Sequence, residues 1–147
     1  QFDPVNKIWF GPCFVDLKGL SYGLQIGLQS TALILVVTSE RGMESLKGET
    51  ITLGGNLSVA TGPVGRSAEA GTDLSLKSAL YSYSMSKGAF VGASLEGAII
   101  ANNINANRVY WQKKLTSAQA LAQEALGEPI QPLLQELNSI IRENLRG

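Results

Sequence analysis

Short strand signals, each closed by a turn containing glycine or proline, recur along residues 21–95 and restrict the chain to a small, tightly curved sheet. From Ser21 to Gln29 the residues alternate, with Tyr22, Leu24, Ile26 and Leu28 on one face and Gly23, Gln25, Gly27 and Gln29 on the other, the pattern of a half-buried strand. The run Leu33-Ile34-Leu35-Val36-Val37 lacks alternation and is rich in branched residues, so a central strand covered on both faces is expected there. Further strands are expected at Ile51–Leu53, Leu57–Ala60, Ala68–Leu76, Leu80–Met85 and Ala89–Leu95. Gly54-Gly55, Gly62-Pro63-Val64-Gly65 and Lys87-Gly88 supply the positive φ or the fixed proline φ that tight reversals need. Punctuation this frequent, with 16 glycines in the chain, predicts a mainly β fold: a glycine-rich antiparallel barrel or sandwich rather than a parallel sheet.

Helical signals complete an α+β reading. Ser39 is placed to cap a short helix containing Met43 and Leu46, with Gly48 as a left-handed stop. After Asn102-Asn103 the hydrophobic period changes, and Tyr110-Trp111 are expected to close the sheet domain with Trp111 largely buried. Thr116 and Gln119 form a capping-box pattern, Ala118, Leu121, Ala122 and Ala125 share one helical face, and Gly127 is the expected stop. Beyond Pro132 an apolar stripe runs through Leu133, Leu134, Leu137, Ile140, Ile141 and Leu145. Its polar side carries Glu136, Glu143, Arg142 and Arg146 in equal signs, unlike the lysine-rich face of a helix lying on anionic lipid. Leu133, Leu137, Ile140 and Ile141 are therefore expected to pack on the sheet or on another subunit. The domain reading is a β domain over residues 1–112 and a helical tail over 113–147.

Composition narrows the chemistry. With 147 residues the chain suffices for one domain. Its 12 basic and 12 acidic residues, eight of each up to Gln112 and four of each after it, leave no net field to recruit nucleic acid. The longest aliphatic run, Ala32 to Val37, is far short of the roughly 20 residues of a membrane-spanning helix. The chain opens on Gln1 rather than Met, as a processed or trimmed piece of a longer product would. Cys13 is the single cysteine and there is no histidine, so an intrachain disulfide, the usual Cys/His zinc sites and His-dependent triads all lack their residues. Ser84-Met85-Ser86-Lys87 has the S-x-x-K spacing without its companion motifs, and Gly92-Ala93-Ser94-Leu95-Glu96 departs from the nucleophile elbow at Glu96. The glycine pairs fit no phosphate-loop pattern. Glu69 and Asp73, on one face of an expected strand, are the weak candidates for a hard cation, with Glu96 nearby in type. Two carboxylates so placed are ordinarily solvated, so no metal and no cofactor is expected.

Several segments stand in a distinctive order. They are Trp9-x-x-Pro12, Gly23-Leu-Gln-Ile-Gly27-Leu-Gln29, and Thr52-Leu-Gly-Gly-Asn-Leu-Ser-Val-Ala-Thr-Gly-Pro-Val-Gly-Arg66. Ala68-Glu69-Ala70 with Asp73, Tyr81-Ser82-Tyr83-Ser84 before Lys87-Gly88, Gly92-Ala-Ser-Leu-Glu-Gly97, and Asn105-Ala-Asn107 before Tyr110 follow. No one segment is specific, but over residues 9–111 their ordered sum resembles the SYLF domain family. The resemblance implies a non-enzymatic module associated with phospholipids, especially phosphoinositides, and in fungi with actin. It also implies an additional N-terminal segment, implicated in membrane contact, which this sequence does not match.

The expectation is a phospholipid-binding, membrane-associated module whose loops meet an anionic lipid surface. Arg66 and Lys87 are the candidate contacts, because a cation at a turn reaches phosphate without burial. The alternative is a structural or self-assembling interaction protein, including an actin-binding scaffold, with the last helix as its interface. The location expected is peripheral to a membrane, at the envelope or periplasm of a bacterium or on the cytoplasmic side of a eukaryotic membrane. Because neither Ser84 nor Ser94 has an imidazole to activate it, a fluorophosphonate probe should label neither residue. Stoichiometric labelling of either, read by peptide mass mapping, would show a nucleophile.

Overall fold

A computed structural model describes residues 1–19, 32–55, 57–63, 78–86, 89–92 and 95–144. The chain forms two compact units, one of Val15–Asn103 and one of Gln1–Phe14 with Ile104–Gly147.

The first unit is built from β3 (Val15–Lys18), β4 (Leu33–Val37), α1 (Glu40–Leu46), β5 (Thr50–Thr52), β6 (Val59–Thr61), β7 (Leu80–Ser86), β8 (Ala89–Gly92) and β9 (Ile99–Asn102). One sheet has the order β3-β9-β5, and another has β4-β7-β6 with β8 also on β7. Strand β7 organises the second sheet. Its Leu80–Ser84 stretch pairs antiparallel with β4. Along its other edge Leu80–Ser82 run parallel to β6 and Tyr83–Ser86 antiparallel to β8. Cross-strand partners share a face, so Leu80, Ser82, Leu33, Leu35, Val37 and Val59 look inward. The core they enter joins Leu53, Leu57, Leu80, Leu95, Ala98 and Ile100 with Leu17 and Ile51 from the other sheet. Ser82 is fully buried yet satisfied, its hydroxyl donating to the Ala60 carbonyl at 3.2 Å.

The structure corrects four expectations here. The fold is α+β as expected but, among the described residues, no sheet closes into a barrel. Its strands are not all antiparallel, because the long connection between β6 and β7 returns the chain in the same direction. Strand β4 is covered on one face only: Ile34 and Val36 are 45% and 42% exposed, since their branched side chains point away from the shared core. Helix α1 begins as expected, Ser39 Oγ accepting from Gly42 N at 3.0 Å. It ends without a left-handed glycine, Lys47 N–H and Gly48 N–H turning back to the Glu44 and Ser45 carbonyls at 3.2 and 3.0 Å. Gly42 is needed for packing, because a Cβ there would lie 2.9 Å from Val37 Cγ1 and 3.1 Å from the Ala79 carbonyl. The strands expected at Ser21–Gln29 and Ala68–Leu76 lie outside the described residues.

The second unit holds β1 (Phe2–Asp3), β2 (Ile8–Trp9), α2 (Ile104–Trp111), α3 (Ser117–Leu121), a 3-10 turn (Glu128–Ile130) and α4 (Gln131–Asn144). Helix α3 carries the expected capping box, Gln119 N donating to Thr116 Oγ1 at 3.1 Å and Thr116 N to Gln119 Oε1 at 3.0 Å. It stops at Leu121, so the longer alanine face never forms; Ala120 and Ala125 are buried while Ala118 and Ala122 are exposed. Gly127 accordingly caps the 3-10 turn instead of ending the helix.

Leu80 is fully buried at the centre of the first unit's core. Leu80→Ala should cost about 2–5 kcal/mol in urea denaturation, and Ile34→Ala, at the half-open face of the same sheet, under about 1.5 kcal/mol. Equal costs would contradict the one-sided packing of β4.

Candidate interaction surface

In the second unit, strands β1 and β2 form an antiparallel hairpin. Its turn is held by Asp3, whose carboxylate accepts from Asn6 Nδ2 at 2.7 Å and from the Val5 and Asn6 amides at 2.8 and 3.1 Å. The Asn6 side chain, followed by the two amides, keeps the Asp3 carboxyl below its usual range. The turn is fully supported above the unfolded aspartate value of about 4, and this support is lost as pH falls through the lowered value.

The segment after the hairpin is tied to α2 by one side chain. Asn107 is fully buried, and its amide pairs with Phe14 as a second backbone would: Oδ1 accepts from Phe14 N and Nδ2 donates to Phe14 O, both at 2.8 Å. Two indoles add ties. Trp9 Nε1–H donates to Asn138 Oδ1 of α4 at 2.9 Å, and Trp111 Nε1–H donates to Pro12 O at 3.0 Å. Backbone bonds from Gly11 N to Gln123 O and from Ala125 N to Trp9 O, each 2.8 Å, complete the attachment. Trp111 is therefore half-buried at the end of a helix, where its indole holds residue 12, and does not close the sheet unit.

These ties frame a groove of about 690 Å³. Val109, Tyr110 and Trp111 from the end of α2 form one wall, and Leu126, Gly127 and Pro129 form the other. Gln123 and Glu124 supply its polar end. Gly127 is required by close approach, since a Cβ there would overlap the Tyr110 hydroxyl. That hydroxyl is buried with no hydrogen-bond partner among the described residues.

The apolar stripe of helix α4 is unevenly covered. Leu134 is buried, with Leu137 and Ile141 half-buried beside it. Leu133 and Ile140, seven positions apart on a helix of 3.6 residues per turn, are 55% and 54% exposed. The four residues singled out from the sequence stripe thus divide between its covered and its open edge. Arg66, Lys87, Glu69 and Asp73 lie outside the described residues, as does Ser94. Ser84 lies within β7, opposite Leu33 and Val91. Among the described residues no group of carboxylates or cysteine could hold a metal ion, and no helix is long and apolar enough to cross a membrane. The groove and the Asn107 clasp carry no sequence motif of their own. Asn107 stood out only as part of the Asn105-Ala-Asn107 segment.

An α+β chain with an outward apolar helix side and an aromatic groove has the surface of a binding module. The family model described as "Ysc84: Las17-binding protein actin regulator" matches residues 18–140, and the chain belongs to this family, the one its SYLF-like segments resemble. It is 38% identical over 143 residues to the SH3 domain-containing protein PJ696.02 of Schizosaccharomyces pombe, covering 95% of this chain and 33% of that protein. It is 38% identical over 135 residues to Protein YSC84 of Saccharomyces cerevisiae, covering 89% and 29%. It is 36% identical over 104 residues to the human SH3 domain-containing YSC84-like protein 1, covering 70% and 30%. The chain thus spans about a third of the length of these relatives. No solved structure gives a significant match.

Asn107→Ala would strand the amide and carbonyl of Phe14 and should cost about 1–3 kcal/mol. Tyr110→Phe removes a buried hydroxyl without a partner and should leave the melting temperature unchanged or raise it. A fall with Tyr110→Phe as large as with Asn107→Ala would contradict these hydrogen-bond assignments.

Proposed function

We propose that this chain is a non-enzymatic protein-interaction module of an actin regulator, and that it meets filamentous actin through the outward side of α4. Membership of the Ysc84 family supports an actin-related role. The observation that carries the choice of surface is the exposure of Leu133 and Ile140 along one edge of an apolar stripe whose other edge is covered. Two large aliphatic side chains held open on a rigid element are what a partner's pocket takes up, because their burial on binding releases ordered water at no cost in folding. Beside them Glu136 and Glu143, three positions after Leu133 and Ile140 on the helix, are exposed, an acidic rim suited to a protein surface more than to an anionic bilayer. The relatives' SH3 domains and any partners of the longer proteins lie beyond what this chain's own residues address.

Co-sedimentation tests the reading. The chain should pellet with filamentous actin. The Leu133→Asp/Ile140→Asp double variant, which alters only exposed positions, should bind at least about tenfold more weakly with an unchanged melting temperature, a loss of about 1.4 kcal/mol. A double variant that pellets like the parent would place the interface elsewhere. A parallel arm uses vesicles containing phosphatidylserine or a phosphoinositide. Pelleting with vesicles but not with actin, abolished by Arg66→Ala/Lys87→Ala, would replace the actin reading with the phospholipid one.

A further inference from the structure

We infer that the groove between the end of α2 and the turn before α4 binds a proline-rich segment in the polyproline II conformation that carries a cationic residue. The inference stands on the groove alone and does not rest on the actin reading, which uses Leu133 and Ile140.

The shape comes first. Tyr110 and Trp111 stand with ring centroids 5.0 Å apart and planes at 76°, so two flat aromatic faces meet at a corner within the α2 wall. Val109 and Leu126, 69% and 71% exposed, rise as rims on opposite walls. At about 690 Å³ the groove is of the size that encloses a few residues of peptide. Its eight lining residues fall well short of the roughly 20–30 per side of an ordinary protein–protein interface. A polyproline II segment suits such a corner. It has three residues per turn, presents rigid pyrrolidine ridges, makes no internal hydrogen bonds and loses little entropy on docking against aromatic walls. An extended β-type peptide would need a free strand edge to pair with. The backbone nearest this groove is already engaged, Gly11 with Gln123 and Ala125 with Trp9.

Charge then selects among proline-rich segments. The Glu124 carboxylate lies at the polar end of the groove, and Glu128 follows in the adjoining 3-10 turn; both are exposed, and neither forms an ion pair among the described residues. A lysine or arginine flanking the prolines would find a partner there, which an acidic occupant would not. Gln123, whose amide makes only a 3.3 Å bond to Gln119 O, is the polar group best placed to turn toward a peptide carbonyl.

The test is a titration of the isotope-labelled full chain, followed by backbone amide and indole N–H resonances. The probes are an oligoproline peptide with an arginine pair at its end, and the same peptide with glutamates in place of the arginines. The arginine peptide should shift the amides of Val109 and Leu126 and the Trp111 indole saturably. Glu124→Gln should weaken it about threefold, the worth of an exposed ion pair, while leaving the glutamate peptide unaffected. Leu126→Asp should abolish binding, and Val109→Asp serves if that variant does not fold. The inference is overturned by an absence of shifts, by equal affinity for the two peptides in the parent, or by indifference of the arginine peptide to Glu124→Gln. Groove shifts that follow protein concentration alone, or that arise with phosphatidylserine vesicles and not with peptide, would overturn it in favour of a second copy or a lipid surface.

Discussion

The helical unit depends on one buried amide. Residues 10–14 run beside α2 and α3 as irregular chain, and irregular chain must find partners for its backbone groups one by one. Asn107 gives Phe14 both of its hydrogen bonds from a single side chain, and no other uncharged side chain except glutamine offers a donor and an acceptor in that fork. Once Phe14 is fixed, Trp111 can hold Pro12 and the backbone of 9–11 can reach residues 123–125. Those bonds set the distance between the two walls of the groove.

The sheet unit has a different economy. There the constraint is β7, which pairs with three strands and carries side chains toward the core in strict alternation. A polar member of that alternation, Ser82, is tolerated at full burial with its hydroxyl donating to the Ala60 carbonyl on the parallel neighbour.

Local chemistry was legible in the sequence, and closure in space was not. The Ser39 and Thr116 caps, the extent of β7 and the amphipathic stripe of α4 all rest on residues within a few positions of one another, where propensity and periodicity act. Helix α2 is less legible, because Asn105 and Asn107 are weak helix formers and its one inward polar residue serves a segment some 90 positions away. The direction of β6 against β7, and the absence of closure among the described strands, follow from the path of the chain and leave no periodic trace. The same holds for the division of the α4 stripe. A run of leucines and isoleucines announces burial, but only the packed neighbours decide that Leu134 is inside and Leu133 outside.

In the function proposed, binding falls to the exposed edge of the α4 stripe. Hydrogen exchange of the full chain, measured by mass spectrometry with and without filamentous actin, tests this most directly. The exchange of amides in residues 131–144 should slow when actin is added and should not respond to neutral vesicles. Unchanged exchange across α4 in the presence of actin, with protection confined to other segments or produced only by anionic vesicles, would contradict it.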